Sequence, residues 1–207
     1  MSATRTEAYT DAVFAIAATI LVLDLTANSI GEVSSDAELW DKLGAMWPSF
    51  VSFGVSFALL SMLWVIHVRQ FHDIVRVDGR LLLLNNLRLL FIVLIPFTTS
   101  LTADYSDFYA GRMLFPINFF LAALMSHLTW IWASARGGHL LRADVVARAQ
   151  QTAGGRAAVL IAAAVIPVSA FVGSWAFLLF FLNGPLTALL SRASRRRTTP
   201  PQAGAAE

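Results

Sequence analysis

The sequence contains no cysteine, and only 14% of its 207 residues are charged. Without cysteine the chain can form neither a disulfide nor a thiolate metal site. An ordinary soluble domain has about 25% charged residues, whereas 57% of this chain is hydrophobic. A chain of this size has too little interior to remove so much apolar surface from water. The composition therefore disfavours a soluble enzyme, a disordered protein and a secreted disulfide scaffold.

Motifs for catalysis are also missing from the sequence. It has no Gly-x-Ser-x-Gly, no Walker loop and no pair of intramembrane aspartates of the protease type. None of its four histidines has metal-ligand spacing with an acid or a second histidine. We therefore expect a protein that is not an enzyme and that uses neither a metal nor a cofactor. The net charge of only +2 gives no reason to expect a nucleic-acid partner.

The sequence has instead a series of long apolar stretches. A membrane core of about 30 Å needs about 20 apolar residues as a helix. The last stretch, residues 157–191, is 35 residues long and exceeds one crossing. Gly173-Ser174 near its midpoint marks a place where the chain can reverse. The sequence therefore predicts an all-α membrane protein with six transmembrane helices, at about residues 8–26, 46–68, 81–102, 113–135, 157–172 and 175–191.

The positions of the basic residues predict the orientation of these six spans. With the N-terminus inside, 12 of the 15 lysines and arginines lie on the cytoplasmic side, Lys42 and Arg112 lie outside, and Arg88 lies within a span. Basic residues collect in cytoplasmic loops, so we expect both termini in the cytoplasm and the protein in the lipid of the cell inner (plasma) membrane. Residues 1–191 would form the membrane domain, and the basic tail 192–207 is expected to be disordered.

An N-terminal signal peptide is the alternative interpretation of the first apolar stretch. It is disfavoured because Glu7 and Asp11 precede the apolar core, where a signal peptide normally has no acids.

The first predicted helix differs from a lipid-facing span. Asp11 and Asp24 stand at its two ends, about 20 Å apart along a helix, and acids so close to hydrocarbon indicate contact with protein or water. At 100° per residue, Ile16, Ile20 and Leu23 form one stripe with Thr19 at its edge, and Asp11 points to the opposite side. The stripe fits either a helix-packing surface or the wall of a pore, and spacing alone leaves both open.

Several segments together resemble the signature of one family. Residues 5–11, Arg-Thr-Glu-Ala-Tyr-Thr-Asp, are similar to the Arg-x-x-x-Phe-Ser-Asp motif that opens the transmembrane protein 175 family of lysosomal and bacterial potassium channels, with Tyr9 in place of Phe and Thr10 in place of Ser. Bacterial relatives often have two adjacent histidines where this chain has His67 and Val68. The chain is identified as a bacterial six-span member. The resemblance continues through Leu63-Trp64-Val65-Ile66-His67, Phe71, Leu84-Asn85-Asn86-Leu87 and Pro96-Phe97-Thr98-Thr99.

The resemblance implies a homotetramer with a central pore lined by the first helix and permeable to potassium and other monovalent cations. The constriction would be formed by Ile16, Ile20 and Leu23, with Thr19 as a polar pore-lining residue. From its position beside the stripe near the outer end, Asp24 is either at the outer mouth, where it would concentrate cations, or a helix-end residue in contact with water. The chain has no Thr-Val-Gly-Tyr-Gly sequence, so a carbonyl cage of the familiar potassium-channel kind is excluded.

The motif residues predict a structural network behind the stripe. A charge at the membrane needs a partner, and Trp64 and His67 are candidates to contact Asp11 because they lie three residues apart on one helix face. Thr10 can share in the contacts. Asn85, Asn86 and Arg88 lie in the third span, and helix packing is favoured for the two asparagines. Arg88 can pair with a carboxylate or with helix-end carbonyls, or extend to the cytoplasmic side, and the sequence identifies no partner for it. The expected network therefore comprises Arg5, Tyr9, Thr10, Asp11, Trp64 and His67.

Three functions follow from these expectations. The first is a passive potassium-permeable channel with hydrophobic constriction rings. The second is an ion-coupled secondary transporter in which Asp11, Asp24 and Arg88 carry coupling charges, although no internal repeat is evident. The third is a membrane protein that only assembles partners.

Overall fold

The structure, a computed structural model, describes residues 2–25, 30–146, 153–183 and 185–189, and these residues form a helical bundle. A 3-10 helix, Leu21–Leu25, follows the first α-helix, and another, Gly173–Leu182, follows the last α-helix. The α-helices are α1 Ala3–Ile20, α2 Asp36–Ala45, α3 Trp47–Asp73, α4 Gly79–Val93, α5 Ile95–Asp104, α6 Tyr109–Gly138 and α7 Ala153–Val172.

Five segments among the described residues are long and apolar enough to cross a membrane. The first four coincide with the first four predicted spans, and the fifth joins the predicted fifth span to the start of the sixth. The protein is therefore a multi-pass helical membrane protein. The segments are Ala3–Leu23, Trp47–Asp73, Gly79–Asp104, Tyr109–Ser134 and Gly155–Phe180.

The fifth segment is interrupted at Gly173. This glycine has φ of +60°, a left-handed conformation that ends α7. Beyond it, Leu179 and Leu182 line one cavity together with Leu160 and Ala164 of α7, so the chain has turned back along α7. The end of the predicted sixth helix and the predicted tail, residues 190–207, lie outside the described residues.

The third span is broken into α4 and α5, where the sequence predicted one helix over 81–102. Pro96 lies in the first turn of α5, and proline has no N–H for the helix ladder and clashes with the carbonyl four residues before it. Asn118 of α6 donates to the carbonyl oxygen of Phe91 at 2.9 Å, so the amide of a neighbouring helix supplies a hydrogen bond to the backbone beside the break.

Helix α2 was not expected from the sequence. Ser35 accepts a hydrogen bond from the Glu38 N–H at 3.2 Å, and the Glu38 carboxylate accepts from the Ser34 N–H at 2.8 Å. Such reciprocal bonds satisfy N–H groups that the first turn of a helix leaves free. None of the residues of α2 is buried, so this helix lies on the surface of the bundle.

Helix α1 begins at Ala3, five residues before the expected start. Thr6 lies one turn before Thr10 and is buried on the same side, so packing against the bundle continues through the early residues. At the far end of the bundle, α6 has helical geometry up to Ser134, since Ala135, Arg136 and Gly137 have non-helical backbone angles.

The core has two parts, and α6 packs against α4, α5 and α7 at its centre. The larger cluster lies within the spans and includes Phe14, Leu63, Ile92, Phe119 and Val165. The smaller cluster lies where α3 leads into α4, and it contains Phe71, Ile74, Leu81, Ala133 and Leu141, among others. This second cluster fixes the end of the bundle near which α1 begins.

Candidate functional site

Helix α1 has two different faces. Its buried residues Thr6, Thr10, Phe14 and Ala17 recur at steps of four, four and three, which keeps them on one side of the helix. That side packs against α3 and α4. Among the described residues, none buries the opposite side of α1.

The predicted constriction residues all lie on the free face. Ile16, Ile20 and Leu23 are 58%, 41% and 61% exposed. Three bulky apolar side chains within two turns therefore form an uncovered stripe on a helix that is otherwise anchored in the bundle. Such a stripe can contact lipid, a second copy of the chain or a narrow passage.

Thr19 is exposed beside this stripe. Its hydroxyl donates a hydrogen bond to the Ile16 carbonyl at 2.8 Å. Because its proton is used in this way, the lone pairs of the oxygen remain available as an acceptor on the exposed face. The backbone of Asp24 belongs to the 3-10 turn after α1, and its side chain lies outside the described part of the structure.

Asp11 contacts both of its candidate partners on α3. The Trp64 indole N–H donates to Asp11 Oδ1 at 2.9 Å, and His67 Nε2 lies 3.5 Å from the same oxygen. The Asp11 side chain is 42% exposed, whereas the His67 side chain is fully buried. The carboxylate therefore lies at the edge of the bundle. Of its two partners, Trp64 is exposed at the surface and His67 lies in the interior.

Arg88 is the charged residue at the centre of the network, with 1% of its surface exposed. Its Nη2 donates to His67 Nδ1 at 2.9 Å and to the Asn85 side-chain oxygen, and its Nη1 lies 3.4 Å from Gln70 Oε1. Among the described residues no carboxylate lies within ion-pair distance of Arg88. Neutral acceptors therefore hold this buried cation.

The network also joins α1 to α4. The Asn85 amide donates to Thr10 Oγ1 at 3.0 Å, and the Thr10 hydroxyl donates to the Thr6 carbonyl at 2.8 Å. Both Thr10 and Asn85 are fully buried. A buried amide and hydroxyl that satisfy each other fix the rotation of α1 about its own axis, because any rotation leaves polar groups unpaired.

Gln70 extends the network to α6 and was not singled out in the sequence. Its amide nitrogen donates to the Ser126 carbonyl at 3.1 Å, and its oxygen accepts from Arg88. The available signal was a polar residue one turn after His67 within an apolar span. Arg5 and Tyr9, the remaining motif residues, are exposed, and the described residues offer their side chains no hydrogen bond or ion pair.

The site contains no arrangement for binding a metal within the described ranges. No group of three or more histidine, aspartate or glutamate side chains there could hold an ion in common. The site therefore consists of an apolar exposed face backed by a buried hydrogen-bonded network.

Comparisons with known proteins point to one family. A family model described as the endosomal/lysosomal potassium channel TMEM175 matches residues 5–96, which contain α1, α3, α4 and the network residues of all three helices. A potassium channel from Streptomyces collinus is 34% identical over 140 residues, 66% of each chain. A potassium channel from Chamaesiphon minutus is 38% identical over 101 residues, 49% of each chain.

The likeness extends to the fold. The crystal structure of a lysosomal potassium-selective channel TMEM175 homolog from Chamaesiphon minutus superposes with a TM-score of 0.68 and 27% identity, covering 93% of this chain and 97% of that one. In sequence, the matched segments span about half to two thirds of the two curated relatives' own lengths. The shared motif region and the shared fold together show that this chain belongs to the TMEM175 family.

Proposed function

We propose that this protein is a potassium-permeable channel of a bacterial plasma membrane, a homotetramer with both termini in the cytoplasm. Its support is the similarity to proteins named potassium channels together with the solved homolog of the same fold. The observation that carries the proposal is the uncovered apolar face of α1, which belongs to a helix whose other face is locked to the bundle.

Four copies of this face around one axis would make a pore lined by α1. Ile16, Ile20 and Leu23 would then form three successive apolar rings, and Thr19 would place four hydroxyl oxygens between the first two. Narrow apolar rings resist wetting and so act as a gate. Because a potassium ion gives up its hydration water at lower cost than a sodium ion, such a passage favours potassium.

The Asp11 network would set the position of the rings without touching the ion. Asp11 is held by Trp64 and His67 on α3, and Thr10 is held by Asn85 on α4. Each contact opposes rotation of α1. A small rotation would move the rings out of register, so the network would keep the constriction in one geometry. Asp24 would lie at the outer mouth, where its charge would raise the local concentration of cations.

The proposal is tested by recording from the purified full-length protein in planar bilayers with a potassium gradient. Unitary potassium currents are expected, and Ile16→Ala and Leu23→Asn should raise the conductance or lower the potassium selectivity because they widen or wet a ring. Leu160→Ala is the matched control, since Leu160 is 53% exposed on α7. Unchanged currents in both ring variants would contradict the pore assignment.

The network role has its own test. Asp11→Ala should reduce tetramer assembly or current, measured by size-exclusion chromatography with light scattering and by flux into vesicles. An Asp11→Ala variant with wild-type assembly and wild-type current would refute the positioning role while leaving the rings untouched.

An ion-coupled transporter is the second candidate, and the buried Arg88, joined to Asp11 through His67, is the observation that favours it. It predicts saturable flux that depends on a second ion gradient, whereas a channel gives unitary currents that do not saturate in this way. The absence of both unitary currents and coupled flux would favour a protein that only assembles partners.

A further inference from the structure

A cavity of about 390 Å³ opens between α3, α6 and α7 on the side of the bundle away from the α1 stripe. Its volume falls in the range of small-ligand sites, about 300–1,000 Å³. Leu63 and Gln70 line it from α3, Ala123 and His127 from α6, and Ala158 from α7. None of the residues proposed for the pore lines it.

The cavity is polar at one end and apolar at the other. Arg69, Asp73, His127 and Trp130 lie toward the end of the bundle where α3 leads into α4, whereas Met62, Phe119 and similar residues lie toward mid-membrane. A basic, tryptophan-bearing rim above an apolar cleft is the arrangement expected at the depth of lipid headgroups.

The charges at the rim favour an anion. Arg69 is exposed and has neither an ion pair nor a hydrogen bond among the described residues. Asp73, the acid in the lining, shares Arg142 with Asp144: Nη2 lies 3.2 Å from the Asp73 carboxylate and Nε lies 2.8 Å from the Asp144 carboxylate. Arg156 is exposed and follows Gly155, which lies against the His127 ring. Arg69, Arg142 and Arg156 outnumber Asp73 and Asp144 at this end of the cavity, so these five residues leave a net positive charge there.

Two details of the lining show that the described residues leave this space unfilled. The side chain of Asn183 lines the cavity, and its Oδ1 is shielded from solvent and has no hydrogen-bond partner among the described residues. A Cβ at Gly155 would collide with the His127 ring, so glycine at this position makes room for the imidazole. A buried amide without a partner is costly unless a ligand or water supplies one.

We propose that this cavity binds an anionic phospholipid from the membrane leaflet at that end of the bundle. Arg69 meets the phosphate, Asn183 bonds a headgroup hydroxyl of the phosphatidylglycerol type, and an acyl chain enters the apolar end. A hydroxyl both donates and accepts, so it satisfies the Asn183 amide in either orientation. The proposal stands apart from the pore and does not depend on the permeant ion.

The test uses the full-length protein purified in mild detergent, incubated with equal amounts of phosphatidylglycerol and phosphatidylcholine and analysed by native mass spectrometry. Phosphatidylglycerol should be retained in preference to phosphatidylcholine. Arg69→Gln should lower phosphatidylglycerol retention by about fivefold, the effect of one arginine at a lipid surface. The matched control is Arg76→Gln, because Arg76 is exposed at the same end of the bundle and does not line the cavity.

A second variant fills part of the cavity from α7. Ala158→Leu should abolish retention of phosphatidylglycerol, with circular dichroism and size-exclusion chromatography confirming a folded protein. Equal retention of the two lipids, an equal loss in the Arg69 and Arg76 variants, or full retention by a folded Ala158→Leu protein would each overturn the proposal.

Discussion

Arg88 on α4 donates a hydrogen bond from Nη2 to Nδ1 of His67 on α3, 2.9 Å away. A guanidinium has no acceptor, so this bond requires a His67 ring with a free lone pair on Nδ1 and the proton on Nε2. That Nε2 lies 3.5 Å from Asp11 Oδ1. One neutral ring therefore stands between a buried cation and the carboxylate of α1.

Substitutions can separate the two roles of the His67 ring, which are to accept the hydrogen bond from Arg88 and to contact Asp11. His67→Asn keeps an oxygen near the position of Nδ1 and should lose about 1 kcal/mol, whereas His67→Phe leaves Arg88 without that acceptor and should lose about 2–3 kcal/mol. The measurement is thermal unfolding of the full-length protein in detergent, followed by intrinsic fluorescence. Equal losses in the two variants would show that the bond to Arg88 does not stabilise the bundle.

Thr19 tests whether the exposed hydroxyl contributes to ion discrimination. Thr19→Val has nearly the same shape without the acceptor oxygen, so the potassium-to-sodium permeability ratio should fall by roughly fivefold, the factor that corresponds to about 1 kcal/mol. The ratio is read from the reversal potential under bi-ionic conditions. Thr19→Ser is the control, since it keeps the oxygen, and a similar fall in both variants would contradict a role for the hydroxyl.

Glu38 makes the stability of α2 depend on pH. Its hydrogen bonds to the Ser34 side chain and backbone lower the pKa of its carboxyl from 4.5 to about 2. A lowered folded-state pKa means that the contribution is fully present above pH 4.5 and disappears as the pH falls toward 2. The protection factors of the α2 amides, which correct for the intrinsic pH dependence of hydrogen exchange, should therefore fall as the pH falls through that window.

The control for this prediction is Glu38→Gln, which cannot titrate. Its α2 amides should exchange with no change in protection across the same window. If wild type and Glu38→Gln respond alike to acid, the capping carboxylate is not the cause of the pH dependence.

Two glycines should respond in opposite ways to alanine. A Cβ at Gly111 of α6 would meet the backbone carbonyl of Tyr105, which cannot move aside, whereas a Cβ at Gly54 of α3 meets nothing within 4 Å. Gly111→Ala should destabilise the protein by about 1–3 kcal/mol, the range for overpacking. Gly54→Ala should be neutral or stabilise it by about 0.5–1 kcal/mol, because alanine favours the helix.

Unfolding temperatures of the two alanine variants, measured side by side, provide the check. A Gly111→Ala protein as stable as wild type would mean that the α5–α6 turn does not need the close approach at Tyr105.

The elements that depend on local composition and on the spacing of apolar residues were predictable from the sequence. The first four spans are recognisable because a helix must expose about 20 apolar residues to cross the hydrocarbon, and the reversal at Gly173 because glycine alone adopts positive φ without strain. The break before Pro96 and the capped helix α2 were predictable in principle, from the proline and from Ser35 with Glu38, and were missed.

The candidate site was predictable only in part. Helical spacing placed Ile16, Ile20 and Leu23 on one face and paired Trp64 with His67, because residues three and four apart share a side of a helix. The partners of Arg88 were not predictable. They lie on α3 as well as on α4, and no local rule relates the rotation of one helix to that of another.

The sequence by itself determined that this chain crosses a membrane several times, which helix bears charge at its ends, and which residues of that helix share a stripe. These properties follow from local chemistry and helical period. Only the tertiary structure decided that Asn85 bonds Thr10 and that His67 lies between Arg88 and Asp11. The physical reason is that a buried polar group needs a partner, and which partner it finds depends on how three helices pack together.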